Sequence, residues 1–293
     1  MSSVVDTPGA VVRARREEFR ALHQRGCFVI PNPWDVGTAR YLQHLGFKAL
    51  ATTSAGFAFS QGLPDSDLVV SRDRALAHIA EIAAAVDVPV NADFSSGYGE
   101  KPSDVADSVT RCVATGVAGL SIEDATGEPS APLYDQSLAV ERVRAAREAI
   151  DRTGTGVLLV ARAECFHTGH PDPLRESIRR LQAYAKAGAD VLFAPGPRTP
   201  EEIKALVDAV HPKPFNLLVV GDIGLRVDDI AALGVRRISV GGALALAGWT
   251  AFIRAAQTLK SDGSFSGFHG LTPYAEVNSF LETDFQSRTS RGG

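Results

Sequence analysis

Sulfur is scarce in this sequence: one methionine, at the start, and three cysteines in 293 residues. Cys27, Cys112 and Cys165 stand far apart with no CxxC pair, which argues against a disulfide framework and for a reduced, cytoplasmic setting. Long apolar runs are missing too; none approaches the roughly 20 residues that a bilayer span needs. The opening MSSVVDTPGAVVRARREEFRALHQRG mixes acidic and basic residues and has no apolar signal core. It reads as a short tail and an amphipathic helix over 1–20. Charge of one sign does not accumulate either. Thirty Lys and Arg against 34 Asp and Glu leave a net charge of −4, spread along the chain, so neither nucleic acid nor an anionic membrane is an expected partner. No linker or break in composition divides the chain, and residues 1–293 read as a single α/β domain.

What is present is a regular alternation. Eight short runs rich in β-branched or apolar residues recur: CFVIPN (27–32), KALATTS (48–54), VPVNAD (88–93), GLSIED (119–124), GVLLVARAE (156–164), DVLFAPG (190–196), PFNLLVVG (214–221) and RISVGG (237–242). Helical patterns such as LAVERVRAAREAIDRTG and LRESIRRLQAYAKAGA fill the gaps, several ending at a glycine where the next strand begins. Strict alternation implies parallel strands with right-handed crossovers, and eight units in roughly 250 residues predict a (β/α)8 barrel of TIM type. A doubly wound sheet is the alternative, but NPWDVGTA after the first strand lacks the glycine-rich dinucleotide fingerprint. Beyond the eighth strand, 261–293 reads as a tail. TPYAEVNSFLE is expected to be a short helix capped by Thr272 with Pro273 at its first position, and QSRTSRGG a mobile end.

In such a barrel, catalytic groups sit at the carboxyl ends of the strands. Those ends are polar here: Asn32, Ser54, Asn91 and Asp93, Glu123 and Asp124, Arg162 and Glu164, with Asn216 inside the seventh strand. Alternate residues share a face, so Asn91 pairs with Asp93 and Arg162 with Glu164. Any one of them could be a helix cap or part of a structural ion network. Together, carboxylates and one arginine suit Mg²⁺ plus an anionic substrate: hard oxygen ligands for the ion, a planar fork for the anion.

These segments resemble the isocitrate lyase/phosphoenolpyruvate mutase superfamily over roughly residues 25–258. TTSAGFAFSQGLPD is similar to its substrate loop, which implies Ser54, Ala55 and Gly56 at the substrate carboxylate and Asp65 near the metal. NADFSSGYG resembles D-x-D-x-G-[YF]-G, implying Asp93 as a metal ligand with Asn91 beside it. SIED implies Glu123 in the metal's shell, ARAE implies Arg162 as the substrate-binding arginine, and PFNLL implies Asn216 at the substrate. The resemblance further implies Mg²⁺, with Mn²⁺ as the substitute, and a last helix exchanged between subunits of a homodimer or homotetramer. The apolar residues of 268–285 would then pack on a neighbour. Trp34, in NPWDVGTA, is expected at the barrel mouth, shaping the pocket floor.

The departures are as informative. Asn91 replaces the first Asp of D-x-D and removes one charge from the metal shell. The segment EDATGEPSAPLYD has none of the Cys, Lys, His or Asn that lyases and phosphonate-forming members carry in that loop, and Pro195 stands where members carry Glu or His. In ECFHTGHPD, Cys165, His167, His170 and Asp172 could ligate a soft metal, or the loop could close the site with one His as proton donor. SVGGALA could hold a phosphate on its amides or be a plain tight turn. The expectation is an Mg²⁺-dependent enzyme that acts on a small 2-oxo acid or related carboxylate through an enolate. Carbon–carbon cleavage of the oxaloacetate decarboxylase or lyase kind leads. Phosphoenolpyruvate mutase or carboxyphosphonate phosphorylmutase chemistry is the alternative within the enzymes, and a catalytically reduced metabolite-binding barrel the alternative outside them.

Overall fold

The computed structural model describes residues 8–290, so the readings of a tail at 1–7 and of a mobile end at 291–293 lie outside the described residues. All eight expected strands form: β1 (Phe28–Ile30), β2 (Leu50–Ala51), β3 (Val90–Asp93), β4 (Gly119–Glu123), β5 (Leu158–Arg162), β6 (Val191–Phe193), β7 (Phe215–Leu218) and β8 (Arg237–Ser239). All pair in parallel, in the order β1-β8-β7-β6-β5-β4-β3-β2. The Ala51 N–H donates to the Pro31 carbonyl at 3.0 Å and joins the two ends of the sheet. This is a (β/α)8 barrel, and the open doubly wound sheet is excluded.

Helices α1 (Pro8–Leu22), α2 (Val36–His44), α3 (Ser54–Ser60), α4 (Arg72–Ala85), α5 (Pro102–Ala114), α6 (Gln136–Thr153), α7 (Pro173–Lys186), α8 (Pro200–Val210) and α9 (Val227–Ala232) precede or join the strands. Their boundaries have local causes. Thr199 and Glu202 form a capping box at the start of α8, and Gly154 closes α6 in the left-handed conformation, φ 63°.

The core has two compartments. Between strands and helices lie Ile79, Ile82, Val109, Leu120, Leu159 and Leu206, all essentially buried. Inside the barrel lie Ile30, Ala51, Val160, Val191 and Phe193, closed at the amino-terminal end by Phe19 of α1. Each such large side chain contributes roughly 1.5–3 kcal/mol by leaving water. Gly119 makes room for the plug: a Cβ there would come within 2.6 Å of the Phe19 ring and 2.7 Å of Asn91 Oδ1. Arg16 fixes α1 by donating to the carbonyls of Val117 and Val113, both at 3.0 Å.

After β8 the chain leaves the barrel. Helix α10 (Ala243–Asp262) is exposed along nearly its whole length, Phe252 at 62 %. Helix α11 (Tyr274–Thr289) is longer than the sequence suggests, so Gln286–Thr289 is helical. Pro273 is extended, with ψ 136°, and stands at the cap position without a side-chain cap; Thr272 does not cap the helix. Phe280 of α11 packs on Tyr41 and His44 of α2, and Asp284 pairs with Arg40 at 3.4 Å. Part of the expected neighbour-facing segment is therefore occupied within its own chain. Among the described residues no helix is long and apolar enough to cross a membrane.

Candidate active site

The carboxyl ends of the strands surround a cavity of about 1320 Å³. Asp93 ends β3 and is held from two sides: its N–H donates to Thr52 Oγ1, and its Oδ2 accepts the Ser54 N–H, both at 2.9 Å. The following turn places Ser95 (φ 46°) and Tyr98 (φ 55°) in the left-handed region, a costly choice for non-glycine residues. External contacts fix it. Asp67 accepts from the Ser96 N–H at 3.1 Å and from its hydroxyl, while Arg142 donates to the carbonyls of Ser96 and Gly99.

Opposite, Arg162 ends β5 between two carboxylates. Its Nε donates to Glu164 and lies 3.3 Å from Glu123 Oε2, and its guanidinium lies over the Phe193 ring, 4.9 Å from the centroid. Burial works against the arginine's charge, but Glu123 and Glu164 hold its pKa above the ordinary value. Of those two acids, burial pushes Glu123 well up, while Arg162 and His167 draw Glu164 down against its burial. Asp124 lies behind them. It accepts the Glu164 N–H at 2.8 Å and an Arg180 Nη1 proton at 2.9 Å, so it sets the position of Glu164 instead of meeting a ligand.

Asp65 enters the same cavity from the loop after α3, its pKa raised to about 6 by burial and by the charge of Asp93, with the Ser54 hydroxyl working the other way. Ser54, Ala55, Asp65, Asp93, Glu123 and Arg162 therefore meet as expected. Among the described residues, however, no three His, Cys, Asp or Glu side chains converge tightly enough to form a closed metal cage. That donor set still fits Mg²⁺, which usually takes one or two carboxylates and keeps several waters.

Four expectations are corrected. Asn91 turns away from Asp93: its Nδ2 donates to the Ala92 carbonyl at 3.0 Å and its Oδ1 faces Arg237 Nη1 at 3.4 Å. Asn216 is fully buried beneath the cavity, donating to Ser239 Oγ at 3.0 Å and accepting from Arg237 Nε at 2.7 Å. Gly56 and Trp34 pack against each other under α3, away from the cavity lining, and the Gly56 N–H is used by Thr53 Oγ1 at 3.2 Å. Of the two readings of SVGGALA, the tight turn fits: the amides of Val240 and Gly241 donate to Asn32 Oδ1 at 3.0 and 2.8 Å and brace it.

The 165–173 loop is not a metal site. Cys165 is buried, and His170 Nδ1 accepts from the Asp172 N–H at 3.2 Å. Only His167 reaches the cavity, its Nδ1 lying 3.2 Å from Glu164 Oε2. The segment after β4 folds into a hairpin, with Ala125 bridged to Leu133 and the Thr126 N–H on the Pro132 carbonyl at 3.1 Å. The residue missed by sequence reasoning is Arg237, on the cavity floor and 2 % exposed, with its pKa pulled down to about 9 by burial. An arginine opening a buried strand, two residues before Ser239, was its only signal.

The family model of phosphoenolpyruvate phosphomutase matches residues 19–260, which is the barrel just described. The chain belongs to this family. Members of the phosphoenolpyruvate mutase/isocitrate lyase superfamily are lyases, decarboxylases and phosphomutases, so the chain is an enzyme of that superfamily. It is 30 % identical to an oxaloacetate decarboxylase of Pseudomonas putida, over 80 % of this chain and 81 % of that one. A Burkholderia cenocepacia crystal structure described as a lyase/mutase superposes with TM-score 0.87 at 45 % identity, covering 92 % of this chain and 96 % of its own. Phosphonopyruvate hydrolase, solved with oxalate and Mg²⁺, superposes with TM-score 0.81 at 25 % identity, covering 95 % and 98 %.

Proposed function

We propose that this family member is an Mg²⁺-dependent enzyme that breaks a carbon–carbon bond beside the carbonyl of a small 2-oxo acid, most simply by decarboxylating an oxaloacetate-like substrate. The observation that carries this reading is the pairing of a cation-ready acidic wall, Asp65 and Asp93, with Arg162, while the hairpin at 125–134 brings no Cys, Lys or His to the cavity, only Ala125, Thr126, Gly127 and Tyr134. Loss of carbon dioxide needs no protein acid at the departing carbon. Asp93 and Asp65 would hold the ion largely through water, where it would polarise the 2-oxo group.

The protein's own groups do the rest. Arg162, kept rigid by Glu123, Glu164 and Phe193, stabilises the negative charge that develops as the enolate forms; a preorganised donor of this kind is worth roughly 3–4 kcal/mol. His167, tied through Nδ1 to Glu164, is positioned to return the one proton that converts the enolate to the 2-oxo product. Transfer of a phosphoryl group would require donors to grip it in flight, and the hairpin at 125–134 brings no Lys, His or Asn to do so. Incubation with oxaloacetate and, separately, phosphonopyruvate in Mg²⁺ decides between the chemistries. Pyruvate release from oxaloacetate, with no change in the phosphorus NMR spectrum of phosphonopyruvate, is expected; the opposite pattern overturns the assignment.

The setting and assembly follow the same reading. Three free thiols, two of them buried, suit a reducing cytoplasm. The exposed apolar residues Leu246, Phe252 and Ile253 of α10 suit a second copy of the chain, in a homodimer or homotetramer.

A further inference from the structure

Arg237 is the opposite of Arg162 in its surroundings. It opens β8 inside the barrel, in register with Asn216 on one side and Phe28 on the other. Its hydrogen-bond partners, Asn216 Oδ1 at 2.7 Å and Asn91 Oδ1 at 3.4 Å, are neutral amide oxygens. Among the described residues no carboxylate pairs with it, although it is 2 % exposed and lines the floor of the cavity. A buried cation with no counter-ion is expensive unless something supplies one. Its Nη2 hydrogens bond no described residue, and the adjacent Ser239 hydroxyl, having accepted from Asn216, keeps its own proton to donate.

We propose that Arg237 is the anchor for a substrate carboxylate at the floor of the cavity, and that residue 91 is Asn so that this guanidinium stays free to bind it. The proposal rests on reading the cavity as an oxo-acid site and names the group that holds the acid. A carboxylate in place of the Asn91 amide would lie 3.4 Å from Arg237 and form an internal ion pair. The missing Asp of the D-x-D pattern and the buried arginine are then one feature: the charge removed from the strand-three end is what leaves the strand-eight cation available. Two donors, Nη2 and the Ser239 hydroxyl, match the two oxygens of one carboxylate; a phosphoryl dianion would ask for more. Arg162 keeps its separate task beside the reacting carbonyl, because its own charge is already balanced by Glu123 and Glu164.

The test is calorimetric titration of oxalate into the full chain in excess chelator, and again in Mg²⁺, for the wild type, Arg237→Met and Asn91→Asp, with melting temperatures alongside. The wild type is expected to bind oxalate without metal. Both variants should lose on the order of 10–100-fold in that affinity, the usual worth of hydrogen bonds to a charged group. Asn91→Asp should not melt below the wild type, because it gives the unpaired buried cation a counter-ion, whereas Arg237→Met trades that cation for amide oxygens of Asn216 and Asn91 left without their donor. Should Arg237→Met fail to fold, Asn91→Asp carries the test, since it leaves the arginine in place. Unchanged oxalate affinity in either folded variant, or a wild type that binds no oxalate in chelator, overturns the proposal. A wild type that binds oxalate through Arg237 yet turns over no 2-oxo acid would sink the proposed reaction and leave the anchor standing.

Discussion

Arg162→Lys separates a catalytic arginine from a structural one. The substitution keeps the positive charge but removes the flat fork, and with it the Nε contact to Glu164 and the lie over Phe193. A lysine ammonium can still reach one of the two carboxylates, so the buried charges Glu123 and Glu164 are not abandoned. The stability cost is therefore about 1–2 kcal/mol, well short of the roughly 3–5 kcal/mol for deleting one partner of a buried ion pair. In a chain of this size that is a fall of about 2–5 °C in melting temperature. The activity cost is larger. If the guanidinium meets the developing enolate, losing its directed donor removes roughly 3–4 kcal/mol, on the order of 10²–10³ in kcat/KM. Steady-state kinetics on oxaloacetate, normalised to folded protein, beside thermal melts, give both numbers. Glu164→Gln in the same assays checks the support: kinetic non-additivity with Arg162→Lys is expected, because the two side chains act through one contact. Near-wild-type kcat/KM with a melting temperature lowered by 10 °C or more would refute the argument and return Arg162 to a structural ion network.

Asp93→Asn should abolish Mg²⁺-dependent activity while leaving the Ser54 N–H an oxygen to donate to; an Mg²⁺ titration followed by activity and by melting temperature checks it, and full wild-type activity in excess chelator would end the metal reading. Phe252→Asp should dissociate the assembly, as read by light scattering, and a full chain already monomeric in dilute solution would contradict the use assigned to α10. The two buried histidines should weaken the fold from about pH 6.5 downward, against the opposite pull of Asp65. Burial holds His23 near 3 and His78 near 4, so below 6.5 the unfolded chain takes up protons that the folded chain refuses, and stability falls with pH until those folded values are reached. His78→Gln should remove about 2 kcal/mol of the loss between pH 7 and pH 5, measured by urea melts at the two pH values; an unchanged loss would show that His78 already takes its proton in the folded state.

Fold class, strand positions and most of the acidic wall were legible in the residues, because they depend on near-neighbour patterns. A run of β-branched residues ended by a glycine-stopped helix reads locally, and a parallel barrel carries whatever follows each strand to one rim. That is why Ser54, Asp93, Glu123 and Arg162 could be named from their strand ends, whereas Asp65, in the loop after α3, came only from the resemblance of TTSAGFAFSQGLPD to the family's substrate loop. Rotation about a side chain and depth within the barrel are not local. Asn91 precedes Asp93 by two and shares its face, yet its amide turns inward because Arg237, 146 positions later, is folded to within 3.4 Å of it. Asn216 sits one layer below the rim, where its oxygen is taken by the same arginine. The histidines of ECFHTGHPD differ only by three positions, but one turn of backbone sends His167 to Glu164 and His170 to its own loop. The sequence determined which chemistry was available at the rim; long-range closure of the barrel decided which charges were balanced there and which one was left open on the floor.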